Sequence, residues 1–205
     1  MEKSAALGRD DPPPDTDRRA DDATLIARSR ADPEAFAAIF DRHATGIHRY
    51  AARRLGPGPA EDVVGETFLV AFRRRDRYDL SRPDAGPWLF GIATNMISRH
   101  RQAEVRLYRA LARTGVDAAV ESPADEVVTR VAATSQRRVI AAALARLSAA
   151  DRDTLLLVDW AELSYDQAAL ALDVPVGTVR SRLNRARRKI RAALDDISSE
   201  EHSHD

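Results

Sequence analysis

The chain has 205 residues, no cysteine and a formal net charge of zero, with 32 basic and 32 acidic side chains. Apolar residues make up 44% and aromatic residues 5%, a composition that favours small helical domains over a sandwich or barrel. The lack of cysteine excludes a disulfide framework and a thiolate zinc site. Because no apolar run reaches membrane-spanning length and the N-terminus lacks the core of a secretory signal, we expect a cytoplasmic protein.

The N-terminal part of the chain predicts a polar tail followed by two helices. Residues 1–21 contain three consecutive prolines and alternating charges, so we expect a disordered tail. Asp32 and Pro33 suit the cap and first position of a helix. Its apolar stripe comprises Phe36, Ile39, Phe40, His43, Ile47 and Tyr50. Residues 56–59, Gly-Pro-Gly-Pro, should break the chain, with Glu61 and Asp62 in the first turn of a second helix that runs to about Arg74.

A third helix is predicted after a polar loop at residues 76–86. It should begin at Trp88, and its apolar positions recur every three or four residues. Residues 103–134 lose this periodicity and predict a partly helical linker. The linker signals are Gly115, Pro123 and the acids Asp117, Glu121, Asp125 and Glu126.

The C-terminal block predicts a helix-turn-helix within residues 135–197, followed by a polar tail at residues 198–205. Ser148 suits a helix cap, and Ser164 with Gln167 has the form of a capping box. The short helix after Ser164 should end near residues 173–175, and a basic helix should start near Val176. This order of elements is typical of a helix-turn-helix, whose second helix fits the major groove.

The basic helix combines a buried stripe with an outward face suited to DNA. Residues 176–191 contain seven basic side chains and no acid, which explains how a chain of zero net charge could bind nucleic acid. Val179, Leu183, Ala186, Ile190 and Leu194 are predicted to be buried. The side chains left outside are Arg180, Ser181, Asn184, Arg185 and Arg188. Arginine pairs with guanine and asparagine with adenine, but the same groups also bind phosphate, and the sequence does not assign which does which. A merely solvated basic helix is the alternative.

Two sets of motifs together resemble a known family. They are AEDVVGETF at residues 60–68, WLFGIATN at residues 88–95 and GTVRSRLNRAR at residues 177–187. These are similar to regions 2 and 4 of extracytoplasmic-function sigma factors of the sigma-70 family, which bind core RNA polymerase, recognise minus-35 and minus-10 promoter elements and promote DNA melting. The resemblance implies an all-α protein with region 2 at residues 22–102 and region 4 at residues 135–197.

The resemblance also implies partners and sites. The partners would be promoter DNA, the clamp helices of the largest polymerase subunit and the beta flap. Many similar proteins are also sequestered by an anti-sigma factor, and the sequence leaves open whether this one is. The core-binding side chains would be Glu61, Asp62, Gly65, Glu66, Leu69 and Arg73. Gly65 departs from the family, which usually has glutamine there, and glycine lowers helix stability.

The DNA-binding residues fall into two sets. Minus-10 recognition and melting would use Asp79, Ser81, Arg82, Asn95, Ser98 and Arg99. Minus-35 recognition would use Thr178, Arg180, Ser181, Asn184, Arg185 and Arg188. Holding an unstacked base requires contacts that recover the stacking energy. Read without the family, Asn95 is an ordinary exposed helix residue.

Other functions are less well supported. A stand-alone helix-turn-helix regulator would share the C-terminal signals without using polymerase. A metal-dependent hydrolase would need His43 and His48, which do not share a helix face, and no phosphate-binding loop or nucleophile-base motif is present. We therefore expect no cofactor, no metal and no catalysis by this chain. The acidic linker could imitate RNA in the polymerase or simply keep a tether soluble, and the sequence leaves both open.

Overall fold

The computed structural model describes residues 20–114 and 127–201, with side chains at 20–114 and 136–195. Within these ranges the regular structure is helical, which confirms the all-α prediction. Most of the predicted N-terminal tail, the centre of the predicted linker with Gly115, Pro123 and its four acids, and residues 202–205 lie outside the described part. Among the described helices, none has the length and apolar character needed to cross a bilayer.

The helices are numbered here in chain order. The first group consists of α1 (Asp22–Arg28), α2 (Ala37–Leu55), α3 (Pro57–Arg74), α4 (Gly86–Arg99) and α5 (Arg101–Thr114), with short 3-10 turns at Pro33–Phe36 and Arg75–Arg77. The second group consists of α6 (Val127–Arg146), α7 (Ala149–Asp159), α8 (Tyr165–Leu172) and α9 (Val176–Glu201).

The helix starts follow local chemistry, with two differences from the sequence prediction. Asp32 accepts a hydrogen bond from Glu34 N at 3.3 Å, as a capping residue should. However, α3 begins at Pro57 and not near Glu61, because prolines are tolerated in a first turn whose N–H groups have no partner within the helix. Gly56 makes the preceding turn with φ 88°, a conformation that favours glycine. Likewise α4 begins at Gly86, two residues before the predicted Trp88.

The first domain packs α1 to α5 around one apolar core. Ile39 and Ile47 of α2, and Leu89 and Ile97 of α4, are completely buried. Of the predicted apolar stripe, Phe36, Ile39, Ile47 and Tyr50 are buried and His43 is half-buried. Phe40 is 44% exposed, although its ring contacts Phe68 with centroids 4.8 Å apart. The helix α5 occupies the start of the predicted linker and buries Glu104 and Tyr108.

The second domain contains the predicted helix-turn-helix. The hydroxyl of Ser148 accepts a hydrogen bond from Asp151 N at 3.2 Å, which confirms it as the cap of α7. Ser164 and Gln167 form the predicted capping box of α8. Asp173 ends α8 in the left-handed conformation with φ 51°, and α9 follows. At 26 residues α9 is about 39 Å long and continues past the predicted end of its domain at residue 197.

The two domains are in contact. Helix α8 packs on α4, α6 packs on α5, and α7 reaches α2 through charged side chains. The buried residues of both domains consequently form one continuous apolar cluster in the described structure.

Candidate nucleic-acid interface

The second helix of the helix-turn-helix presents most of the predicted minus-35 residues to solvent. Val179 and Ala186 are completely buried and Leu183 is 2% exposed, so this part of the predicted stripe packs on the domain. Ile190 and Leu194, also predicted to be buried, are half-buried. The opposite side of α9 exposes Arg180, Ser181, Asn184, Arg185 and Arg188, and Thr178 is half-buried at its start. Ser181 Oγ donates to the Thr178 carbonyl at 3.0 Å.

A basic groove follows this face of α9. It has a volume of about 400 Å³ and is lined by Tyr165, Arg180, Leu183, Asn184, Arg187, Arg188 and Arg191. Tyr165 comes from α8 and is 37% exposed, so an aromatic ring stands beside four guanidinium groups. Such a surface attracts phosphate, and its asparagine and arginines have the geometry to pair with base edges.

Two arginines of α9 are held by carboxylates that the sequence did not single out. Arg185 makes a bidentate contact with Asp151 of α7, with distances of 2.8–3.0 Å, and Arg187 lies 2.6 Å from Asp159. Burial raises the pKa of Asp151, but the hydrogen bonds from Arg185 and Ser148 outweigh it and lower that pKa overall. Asp151 is 3% exposed and Arg185 49%, so the arginine covers a buried carboxylate while one side of it remains open.

The loop before α4 brings together three of the predicted minus-10 residues. Asp79 accepts hydrogen bonds from Ser81 N at 3.1 Å, Ser81 Oγ at 2.7 Å and Arg82 Nε at 2.9 Å. The hydrogen bonds from Ser81 and Arg82 lower the pKa of Asp79 to about 2. All three side chains are exposed, so the loop is ordered by its own polar contacts.

An aromatic groove lies against this loop. It encloses about 410 Å³ between the loop, the start of α4 and residues Gln167 and Leu170 of α8. The rings of Tyr78 and Trp88 meet there with centroids 5.0 Å apart. Tyr78 donates to the carbonyls of Arg82 and Asp84 at 2.8 and 3.1 Å, and burial raises its pKa to about 12. We refer to this cavity as the loop groove.

One buried carboxylate anchors the loop groove to the rest of the first domain. Asp22 is 5% exposed, accepts hydrogen bonds from Ala85 N at 2.8 Å and Arg42 at 2.9 Å, and lies 2.7 Å from His43 Nε2. Asp22 N donates to the Pro83 carbonyl at 2.9 Å. Asp22, His43 and Asp84 offer atoms close enough for a metal, but those of Asp22 already accept hydrogen bonds, one from the cation Arg42. The sequence had given no role to Asp22.

The remaining minus-10 residues lie farther along α4. Asn95 and Arg99 are exposed and Ser98 is half-buried, with Ser98 Oγ donating to the Asn95 carbonyl at 2.7 Å. Asn95 is eight residues after Pro87, about 12 Å along the helix axis. The predicted minus-10 set is therefore divided between the loop and the middle of α4.

The predicted core-binding side chains share the exposed face of α3. Glu61, Asp62, Gly65, Glu66, Leu69 and Arg73 are all exposed. Leu69 is 49% exposed, an unusual state for a large apolar residue, whereas Phe68 beside it is 5% exposed. Glu66 Oε2 lies 3.8 Å from Arg99 of α4. The exposed Phe40 of α2 is a further apolar group on this domain.

Comparison with known proteins agrees with this division into two regions. Residues 39–114 match the family model for sigma-70 region 2, and residues 137–190 match that for sigma-70 region 4. The chain is 34% identical over 177 residues to the ECF RNA polymerase sigma factor SigL of Mycobacterium tuberculosis, covering 85% of this chain and 97% of SigL. It is 31% identical over 182 residues to the RNA polymerase sigma factor NccH of Alcaligenes xylosoxydans xylosoxydans, covering 87% of this chain and 97% of NccH.

A solved structure shares the fold over both regions. CnrH, in complex with the cytosolic domain of CnrY, superposes with a TM-score of 0.58 at 25% identity, covering 85% of this chain and 97% of CnrH. A helical region 2 joined to a helix-turn-helix region 4 defines a class of bacterial transcription initiation factors. This chain belongs to the extracytoplasmic-function group of that class, within the sigma-70 family of RNA polymerase sigma factors.

Proposed function

We propose that this chain directs core RNA polymerase to promoters by reading the minus-35 element with α9 and by binding the minus-10 element with the loop groove and α4. The observation that carries the proposal is the outward face of α9, where Arg180, Asn184 and Arg188 are exposed on a helix with no acid between residues 176 and 191. Region 4 of the sigma-70 family matches this part of the chain.

Position along α9 separates two proposed roles of its exposed side chains, which are reading bases and binding phosphate. Arg180 and Asn184 are exposed in the first half of α9, the end that a recognition helix inserts into the major groove, so they are proposed to read bases. Arg188 and Arg191 lie farther along the basic groove and are proposed to bind phosphate. To contact DNA, Arg185 must either break its ion pair with Asp151 or bind through the side of its guanidinium group that the carboxylate leaves exposed.

The loop groove and α4 are proposed to act on the minus-10 element as it opens. The half-buried Trp88 ring offers stacking surface and is backed by the buried Tyr78 ring, and the polar side chains of Ser81 and Arg82 stand at the rim. Because Asn95 is about 12 Å away along α4, it is proposed to contact a different nucleotide of the same strand. Melting would then be driven by binding energy alone, so the chain itself needs no catalytic group.

The acidic and apolar face of α3 is proposed to bind core polymerase. Exposed Leu69 supplies apolar area, and Asp62 and Glu66 would pair with basic side chains of the clamp helices. Region 4 is proposed to contact the beta flap. We propose a cytoplasmic location, where polymerase works, and we propose an anti-sigma factor as a further partner, as the family resemblance suggests. CnrH was itself solved with a bound protein, the cytosolic domain of CnrY.

Transcription in vitro tests the proposal. Purified chain added to core polymerase and fragmented genomic DNA should yield transcripts whose start sites share upstream elements, and core alone should not. On such a promoter, Arg180→Ala should relax preference at one minus-35 base pair and lower affinity by about 1–3 kcal/mol. Arg137→Ala, an exposed arginine on α6, is the matched control.

The result also separates the chain from a stand-alone regulator. A regulator would bind DNA and leave promoter choice by core unchanged. Sequence-specific DNA binding without any core-dependent initiation would therefore reject the proposed function in favour of that alternative.

A further inference from the structure

The ion pair between Arg185 of α9 and Asp151 of α7 uses one edge of the guanidinium group and leaves another edge open. Arg185 Nε donates to both carboxylate oxygens at 3.0 Å, and Nη2 donates to Oδ1 at 2.8 Å. Among the residues that the structure describes, Nη1 has no hydrogen-bond partner. Because each terminal nitrogen of arginine carries two N–H donors, both donors of Nη1 and one of Nη2 remain available.

The carboxylate is the fixed partner of this pair. Asp151 is 3% exposed and lies in the first turn of α7, where the helix dipole favours a negative charge. Ser148 caps the same turn through its hydrogen bond from Asp151 N. The Arg185 side chain, in contrast, is 49% exposed. Asp151 therefore determines the direction in which the guanidinium group of Arg185 points.

Arg185 lies on the side of α9 that carries predicted minus-35 residues. It directly follows Asn184, and it is four residues after Ser181 and three before Arg188, which places these last two beside it on the helix surface. All four side chains are exposed. The described side chains that line the basic groove do not include Arg185, so it lies next to that groove.

The open edge of Arg185 has the donor arrangement that recognises guanine. The free N–H groups of Nη1 and Nη2 are parallel, as required for a bidentate contact with O6 and N7 of guanine in the major groove. An arginine that is ordered before binding also loses less conformational freedom on the DNA than a mobile one. The ion pair with Asp151 is therefore compatible with DNA binding and favours it.

A second ion pair on α9 provides a comparison. Arg187 Nη2 lies 2.6 Å from Asp159 Oδ1, but the two side chains are 45% and 38% exposed, and a single hydrogen bond joins these described groups. Exposed pairs of this kind hold their side chains weakly. The two pairs thus combine the same charges on the same helix, one with a buried carboxylate and one with an exposed carboxylate.

We propose that Asp151 is a positioning residue for minus-35 recognition, which holds the Nε and Nη2 edge of Arg185 so that the Nη1 and Nη2 edge pairs with one guanine of the element. Arg185 keeps its ion pair when it binds DNA, and Asp151 itself contacts no base. This inference rests on the proposed function of α9, but the ion pair can be measured in the free chain.

Nuclear magnetic resonance of the free full-length chain tests the ion pair. The Nε–H proton of Arg185, assigned by its loss in Arg185→Ala, should exchange with water more slowly than that of Arg180, which has no ion pair among the described residues. Asp151→Asn should abolish this difference, and Asp159→Asn should leave it intact. Equally fast exchange at Arg185 and Arg180 in the wild-type chain would overturn the inference.

Promoter binding by the holoenzyme tests the positioning. The chain is combined with core polymerase, and affinities are measured for a promoter found by transcription in vitro and for every single-base-pair change in its minus-35 element. Wild type should prefer guanine at one position by roughly 5- to 150-fold, the range for a bidentate arginine–guanine contact. Asp151→Asn should lose most of this preference and keep the preferences at other positions.

Asp159→Asn is the matched control, because it removes the same charge from the other ion pair of α9. It should keep the preference at every position. A change in overall affinity that comes only from the lost negative charge should be shared by both variants and by all sequences. Since each preference is a ratio measured on one protein sample, it does not depend on the fraction of folded protein.

A double variant shows whether Asp151 acts through Arg185. Arg185→Ala should lose the same preference, and adding Asp151→Asn should cause no further loss, because two residues that act through one contact are not additive. A further loss in the double variant would mean that Asp151 acts by another route, which would overturn the inference.

The outcomes separate this inference from the proposed function. A preference that survives Asp151→Asn would reduce Arg185 to a cover for a buried carboxylate. A stronger preference would show that Asp151 holds Arg185 away from the DNA. Either result overturns the positioning role alone, whereas a wild-type holoenzyme without any minus-35 preference would contradict the proposed function as well.

Discussion

Asp22 shows how one side chain can fix the shape of a distant binding loop. Its two carboxylate oxygens contact Arg42, His43 and the backbone of Ala85 at 2.7–2.9 Å. Burial raises the pKa of Asp22, but the hydrogen bonds from His43, Ala85 and Arg42 outweigh it and bring the pKa down to about 2 from an ordinary value of 3.8. The loop that carries Ser81 and Arg82 is thus joined to α1 and α2 by a charged group.

The first prediction at this scale concerns stability and pH. A pKa that is lower in the folded than in the unfolded chain stabilises the fold above pH 4, and this stabilisation is lost as the pH falls from about 4 to about 2. Asp22→Asn should therefore lower the free energy of unfolding by about 2 kcal/mol at pH 7. Urea unfolding from pH 2 to pH 7 measures it.

The control for Asp22 is Asp41→Asn, at an exposed position on α2. The difference between Asp22→Asn and wild type should shrink toward pH 2, where the wild-type carboxylate is itself protonated. Equal free energies of unfolding for wild type and Asp22→Asn at pH 7 would show that the Asp22 carboxylate does not hold the loop.

For single residues, the sequence predicted which side chains are exposed better than it predicted which side chains pair with each other. The outward side chains of α9 follow from helical periodicity, and the structure confirms them as exposed. The pairing of Arg185 with Asp151 could not be foreseen, because it joins residues 34 positions apart on different helices. Phe40 belongs to the predicted apolar stripe and yet is exposed, because periodicity marks a face of a helix without saying how wide the buried part is.

Among the helices, α3 has one face that packs on the domain and another that is exposed and is proposed to bind polymerase. Val63, Thr67 and Phe68 are at most 5% exposed and pack on the domain, whereas the face with Asp62, Glu66 and Leu69 has no cover within the described structure. Gly65 lies on that open face, and a Cβ atom added to it would have no neighbouring atom within 4 Å, so a larger residue would fit there without a clash. Packing therefore does not require glycine at residue 65.

The prediction for α3 is a charge reversal. Asp62→Lys combined with Glu66→Lys should weaken binding to core polymerase by tenfold or more, since like charges would then meet across the contact, a change that costs several kcal/mol. Co-purification with core and fluorescence anisotropy measure the affinity, and circular dichroism checks that helix content is retained. Glu34→Lys, exposed on the same domain, should bind like wild type. Full affinity of the double variant would exclude this face.

Helix ends were predicted from local chemistry with mixed success. The caps Ser148 and Ser164 are confirmed, because a capping side chain acts within three residues of sequence. The start of α3 was placed too late, since prolines at residues 57 and 59 act as helix initiators here and not as breakers. The helix α5 lies mostly in the stretch predicted to be a partly helical linker, but its bounds were not predicted, because the buried positions Glu104 and Tyr108 are not apolar in the usual sense.

For the molecule as a whole, the fluorescence of the two tryptophans can report the unfolding of each domain separately. Trp88 belongs to region 2 and Trp160 to region 4, and the sequence has no other tryptophan. A shared buried interface makes the stability of each domain depend on the other. The contact between domains could not be predicted, since its charges are distributed over α2, α5 and α7 and carry no sequence motif.

The corresponding prediction uses single-tryptophan proteins. Fluorescence of the Trp160→Phe variant reports region 2, and that of Trp88→Phe reports region 4. The two urea midpoints should coincide in the otherwise natural chain. They should separate when Gly91→Ala is added, because a Cβ atom at Gly91 of α4 would lie 2.5 Å from the Ala171 carbonyl oxygen of α8 and force the two domains apart. Gly46→Ala in the same backgrounds should keep them together. Separate midpoints without any glycine change would mean that the domains are independent.

The ion pair between Glu66 and Arg99 joins the proposed polymerase face to the proposed DNA face. Both side chains are more than half exposed and 3.8 Å apart, so the pair is worth at most about 1 kcal/mol. If a basic side chain of polymerase pairs with Glu66, Arg99 loses its ion-pair partner and becomes available to the DNA strand. Binding of polymerase would then raise the affinity for DNA, and binding of DNA would raise the affinity for polymerase. Thermodynamic linkage makes this coupling reciprocal, with an upper limit of about fivefold in each direction.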